Sequence, residues 1–167
     1  MKLKHNQLIY LSGSIWFIVG SFLLYTGLNL LITAVKQPMA GASFPLLDAF
    51  GPMLGGKDSV AIVIIALGLF IGYGKGRFVL GKSANRVANR LKSMPSPLNI
   101  VYLYSPGYWI LIGSMMGLGM GIKYLGIPSD VRGLIDVAIG SALINGGMIF
   151  FRIGKMTSTP INKSTID

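Results

Sequence analysis

The sequence predicts an all-α integral membrane protein with four transmembrane helices, arranged as two tandem helical hairpins that enter the membrane in parallel orientation. Three observations lead there. Of 167 residues, 52% are hydrophobic and only 12% are charged, about half the charged fraction of a soluble domain. The apolar residues gather into four runs separated by polar or basic segments. The two halves of the chain also repeat each other's rarer residues at fixed offsets.

The first run, Leu8 to Val35, carries no charge over 28 residues. About 20 apolar residues suffice to cross the hydrocarbon core, so this run spans with tilt or with one end in the interface. A secretory signal is the competing reading, with Lys2, Lys4 and His5 as its basic start and Ala40-Gly41-Ala42 as its cleavage site. A signal core is only about 7–15 residues long, and the repeat makes the run structural. The loop from Lys36 to Ser59 is re-entrant or interfacial, and Phe44 to Leu54 within it is a candidate short interfacial helix.

The second run, Val60 to Tyr73, is short and reaches Leu80 only by including Lys75 and Arg77. The third begins at Gly107 and is interrupted near its end by Lys123. The fourth, Val131 to Ile153, contains Arg132, Asp136 and Arg152.

The duplication settles the bounds. An offset of 93 places Ser12, Trp16, Gly20 and Ser21 on Ser105, Trp109, Gly113 and Ser114. An offset of 73 places Gly74, Phe78, Gly81 and Lys82 on Gly147, Phe151, Gly154 and Lys155. The chain has only two Trp, and they coincide. The first repeat therefore covers 1–82, with spans near 8–35 and 58–82. A basic linker with a short amphipathic helix covers 83–104. The second repeat covers 105–155, with spans near 106–126 and 131–155, and a polar tail covers 156–167. Each half holds two spans, so the halves are related by an axis along the membrane normal. Lys75 and Arg77 then lie in the last turns of the second span, where long stems reach the headgroups. Asp58 and Asp130 stand at helix starts and Lys82 and Lys155 at helix ends, as helix dipoles favour. Trp16 and Trp109 are candidate interface anchors.

Lys and Arg set the orientation. One side holds Lys2 and Lys4, then Lys75, Arg77, Lys82, Arg86, Arg90 and Lys92, then Arg152, Lys155 and Lys163. The other holds Lys36, Lys57, Lys123 and Arg132, together with four of the five Asp. Both termini and the basic linker are expected in the cytoplasm, which makes this a multi-pass protein of a bacterial inner membrane. The net charge of +10 is accounted for by topology and anionic headgroups on the cytoplasmic side rather than by nucleic acid. Lys75, Arg77, Lys82, Arg86 and Arg90 are the candidate headgroup contacts, the last three sharing one helix face by their spacing of four.

Glycines recur every seven residues at Gly13, Gly20 and Gly27, and again at Gly133, Gly140, Gly147 and Gly154. Gly113, Gly117 and Gly121 recur every four. Each set makes one helix stripe on which another backbone can pack closely. The partner is either another helix of the same bundle or a second copy of the chain.

The inventory for chemistry is poor. There is no Cys and no Glu, and the one His is His5. That excludes thiolate catalysis and Cys-based metal sites and argues against His-based triads and a dedicated metal site. No catalytic, cofactor or metal-ligating residue is assigned. Gly76 to Ser83 matches the P-loop spacing, but its variable positions Arg77, Phe78, Val79 and Leu80 are bulky, whereas a phosphate cradle needs open backbone N–H groups. Gly72-Tyr73-Gly74 matches the end of a potassium-channel filter but lacks the Thr-Val before it and falls at the cytoplasmic end of a helix; the loop Lys36 to Ser59 is long enough to be re-entrant, but the Gly126 to Asp130 connection is not. The chain has the size of small multidrug transporters, which rely on a membrane-embedded Glu that is absent here. Asp136 is the most informative charge, since a carboxylate inside a span is costly. It is either half of an ion pair with Lys123 or an ion-coupling group facing a polar cavity. The expected function is that of a non-enzymatic membrane component associating through its glycine faces, with a small-solute or ion transporter as the alternative.

Overall fold

The computed structural model describes residues 2–3, 5–36, 43–82, 85–86, 89, 98–99, 117, 121 and 124–158. Within them are four helices with defined bounds: α1 His5–Lys36, α2 Pro45–Leu54, α3 Lys57–Lys75 and α4 Ser129–Ser158. One π-helical turn, Gly76–Leu80, continues α3 toward Lys82. The other pairing is a two-residue antiparallel bridge, with β1 Lys2–Leu3 against β2 Leu98–Asn99. Helices α1, α3 and α4 are each long and apolar enough to cross a membrane. The third expected span lies outside the described residues except for Gly117, Gly121 and the positions from Tyr124 onward.

Helix α4 is central, with α1 on one face and α3 on another. The α1 face is a line of glycine against glycine. A methyl on Gly20 would lie 2.8 Å from the Gly140 carbonyl oxygen, and one on Gly27 would lie 2.8 Å from that of Gly133. One on Gly13 would lie 3.1 Å from that of Gly147. As the α1 number rises the α4 number falls, so the two helices run antiparallel. Both stripes repeat every seven residues, so the glycines stay opposed over about four turns. A strict heptad repeat holds such a seam together at a shallow crossing angle.

The α3 face uses a different spacing. Methyls on Gly68, Gly72 and Gly76 would meet Val137, Ala138 and Ala142 in that order. Here both numbers rise together, so α3 runs parallel to α4. Ser141 Oγ adds a hydrogen bond to the Leu69 carbonyl at 3.2 Å. It follows that α3 ends where α1 begins, and that α4 begins at the opposite end.

Large side chains point the other way. Ile18, Phe22, Tyr25, Ile62, Phe70 and Phe78 are all more than 60% exposed, while Ser12 and Ser141 are buried. Small residues along the helix seams, with large apolar ones turned outward beside them, are the pattern expected when the solvent is lipid. A cluster of conventional core residues lies where α1 ends and α4 begins. There Leu31, Phe44, Leu47, Val60, Ile64 and Val137 close around α2.

These contacts order a set of substitutions. Gly72→Ala and Gly140→Ala place a methyl against backbone atoms of Ala138 and Leu24, and each should cost about 1–3 kcal/mol. Gly74→Ala meets nothing within 4 Å and should be neutral or slightly stabilising. Thermal unfolding followed by circular dichroism in detergent checks the order.

Candidate functional site

The charges divide between the two ends of the helical unit. At the end where α4 begins, every described Asp has a structural setting. Asp130 is fully buried and sits in the first turn of α4. Its Oδ1 accepts the Val131 N–H at 2.8 Å. Its Oδ2 accepts the Leu46 N–H at 2.7 Å and the Leu47 N–H at 3.2 Å. Those are first-turn donors of α2, whose own N-cap, Phe44, supplies no side-chain bond. One carboxylate thus serves two helix N-termini, where orphan N–H groups and the helix dipole favour an anion.

Helix α2 ends at Gly55, whose φ of +79° is the left-handed conformation that a helix stop favours. Asp48 of α2 pairs with Lys57 of α3 at 2.7 Å. The same ammonium lies 5.9 Å from the Phe44 ring centre. Asp58 stands in the first turn of α3.

Asp136 is 6% exposed and its Cβ faces α1, 3.0 Å from where a methyl on Gly27 would lie. Arg132 Nε, one turn earlier on α4, is 3.7 Å from its Oδ2. Lys123, the partner expected from sequence, lies outside the described residues. Arg132 was visible in the sequence at the i−4 position, a spacing that faces Asp136 directly.

The opposite end is basic. Lys75, Arg77, Lys82 and Arg86 are exposed there, as are Arg152 and Lys155 at the end of α4. Arg90 is outside the described residues. Between the π-turn and α4 lies a cleft of about 140 Å³ lined by Tyr73, Arg77, Asn145, Met148, Ile149 and Arg152. Arg77 Nη1 donates to the Tyr73 hydroxyl at 3.4 Å, and Asn145 Nδ2 donates to the Ser141 carbonyl at 2.9 Å. From the sequence, Arg152 entered only as a topology charge and Tyr73 only within the filter-like Gly72-Tyr73-Gly74, and Asn145 was not singled out. Their spacing was the available signal, since Tyr73 and Arg77 are four apart and Asn145 and Arg152 are seven apart.

The remaining sequence candidates are also placed. Trp16 is buried, at 6% exposure, and Trp109 and Gly113 are outside the described residues. Gly13, Gly20, Gly27, Gly133, Gly140 and Gly147 meet in the α1–α4 seam, and Gly154 packs against the Tyr10 ring. Methyls on Gly117 and Gly121 would meet no described atom within 4 Å. The P-loop-like segment is helical from Gly76 to Lys82, so its N–H groups follow a helix rather than a phosphate cradle. Gly72, Tyr73 and Gly74 lie inside α3. Among the described residues no three His or Asp gather as a metal site would require. Comparison with known protein families, curated proteins and solved structures finds no match.

Two predictions concern the acidic end. Asp130→Ala leaves first-turn N–H groups of α2 without their acceptor and should cost about 1–3 kcal/mol. The loss should appear as faster amide exchange at Leu46 and Leu47. The second concerns Asp48, whose carboxyl is held below its usual range chiefly by the hydrogen bond from Lys57, which outweighs the opposing effect of desolvation and is helped by the Lys57 charge and the Phe44 backbone. A carboxylate lowered in the folded state stabilises above its unfolded value and loses that contribution as pH falls through the folded one. The α2–α3 tether should therefore hold at neutral pH and loosen below about pH 4. Asp48→Asn should remove this acid-dependent loss of protection in α2, read as protection factors corrected for intrinsic exchange.

Proposed function

We propose that the chain is a non-enzymatic, multi-pass component of a bacterial inner membrane that crosses four times, as two tandem hairpins, with both termini in the cytoplasm. Three crossings are the described helices α1, α3 and α4. The fourth is supported by where the chain has to be. Leu98–Asn99 pairs with Lys2–Leu3, beside the start of α1, whereas α4 begins at the other end. The apolar run from Gly107 lies between them. The parallel course of α3 and α4 is the relation that two halves of like orientation require. The gathering of cations at the end where α1 begins supports placing that end in the cytoplasm.

The observation that carries the reading is the inward-facing glycine seam beneath an outward-facing apolar surface. It makes a close-packed, lipid-embedded body from backbone contacts. The helical course of residues 76–82 supports treating the P-loop spacing there as a chance match. The seam occupies Gly13, Gly20, Gly27, Gly133, Gly140 and Gly147 within the chain. Association with a second copy therefore falls to the face of Gly113, Gly117 and Gly121. Gly117→Leu with Gly121→Leu should abolish the oligomer in native mass spectrometry and leave the helical content intact. An unchanged oligomer would overturn the association.

A transporter is the second reading, favoured by one observation: Asp136 is buried within a span. Its test is flux into liposomes of purified protein. The component reading expects no flux, or flux unaffected by Asp136→Asn, whereas a coupling carboxylate would lose it.

A further inference from the structure

We propose that the cleft between the π-turn after α3 and the last turns of α4 binds the phosphate of an anionic phospholipid headgroup. The inference rests on the membrane reading above, and it is independent of association through glycine faces.

The backbone geometry builds the cleft. Gly76 lets α3 approach until a methyl there would lie 2.7 Å from the Ala142 carbonyl oxygen. The next residue, Arg77, opens one wall of the cleft, and Asn145, one turn beyond Ala142 on α4, opens the other. The helix widens at this point into the π-turn Gly76–Leu80, a local departure that recurs at functional sites. Arg152 completes the cationic side, two turns on from Asn145.

The chemistry is that of an anion site. Two arginines, Arg77 and Arg152, line one small cleft. Asp48, Asp58, Asp130 and Asp136 all lie toward the other end, so no described carboxylate stands near to balance them. Two like charges at the edge of a low-dielectric layer repel unless an anion joins them. Guanidinium forks match phosphate oxygens bidentately. The bond from Arg77 to Tyr73 uses only one of the five guanidinium N–H groups. Asn145 is held by Ser141 and retains a second amide N–H to donate.

The cleft also says which phosphate. Met148 and Ile149 form an apolar wall beside the cations, and Phe78 next to Arg77 is 73% exposed. Free phosphate gains nothing from those surfaces, while the glycerol and first methylenes of a phospholipid do. Tyr73 at the rim has the amphipathic character favoured at this depth.

The test uses full-length protein in nanodiscs of mixed phosphatidylglycerol and phosphatidylcholine, with retained lipids read by native mass spectrometry. Phosphatidylglycerol should be retained in preference to phosphatidylcholine. Arg77→Gln with Arg152→Gln should cut that retention about tenfold. Lys82→Gln with Arg86→Gln removes the same net charge outside the cleft and should have a clearly smaller effect. Arg77→Lys with Arg152→Lys keeps the charge but loses the forks, and should restore only part of the retention. Equal losses from the two Gln pairs would overturn the site in favour of general surface charge. No preference for phosphatidylglycerol in the unaltered protein would overturn it whatever the variants do. Displacement of the retained lipid by excess inorganic phosphate would make free phosphate the occupant and overturn the lipid assignment. A failure of oligomerisation in the same spectra bears only on the glycine-face association.

Discussion

The close approach of the α1 and α4 backbones is the constraint on which the rest of the structure depends. In lipid, apolar side chains gain little by leaving one hydrocarbon for another, so helices must be held by packing and polar contacts. Packing is densest where no side chain intervenes. The opposed glycine pairs of α1 and α4 bring peptide groups together at three successive levels, each two turns apart. Any side chain at these positions would wedge the helices apart along the whole seam, because the levels share one line of contact.

That constraint dictates the composition of α4. It is approached from two sides, so it carries small residues on two faces. Gly133, Gly140 and Gly147 meet α1, while Ala138, Ser141 and Ala142 meet α3. Helices α1 and α3 are each sealed on one side and turn Phe22, Tyr25, Phe70 and their neighbours outward. At the end where α1 begins, ring contacts take over from backbone contacts. Tyr10 stacks on Phe151 with centroids 6.2 Å apart, and Phe17 tilts against the same ring at 6.4 Å.

Much of this was legible in the sequence because its signals are local and periodic. The seven-residue glycine stripes and the apolar runs need no tertiary knowledge to be seen, and α2 was foreshadowed by the apolar stretch from Phe44 to Leu54. What the sequence left open was the pairing of stripes. A glycine face states that a backbone will come close but does not say whose, and the same pattern serves a bundle or an oligomer. The stripe of Gly68, Gly72 and Gly76 is masked in the sequence by the adjacent Gly74, which breaks its spacing of four. The role of Asp130 was only half visible. Its place at a helix start follows from the chain, but its bonds to Leu46 and Leu47 join residues more than 80 positions apart, a relation no local pattern encodes. The spacing of Tyr73 with Arg77 and of Asn145 with Arg152 was legible, but the meeting of the two pairs across α3 and α4 was not.

The two ends of the unit differ in how far their charges are satisfied from within, and that difference decides where the molecule meets its surroundings. At the acidic end three of the four described carboxylates are matched inside the chain, and Asp58 stands in the first turn of α3. Asp48 has Lys57, Asp130 has three backbone N–H groups, and Asp136 has Arg132. These contacts fix α2 against α3 and α4. At the basic end Lys75, Arg77, Lys82, Arg86 and Arg152 are exposed without a described carboxylate beside them. A fold can leave cations in this state where an external anion layer is present, and a phospholipid surface supplies one. The acidic end thus closes the fold, and the basic end leaves it electrostatically open.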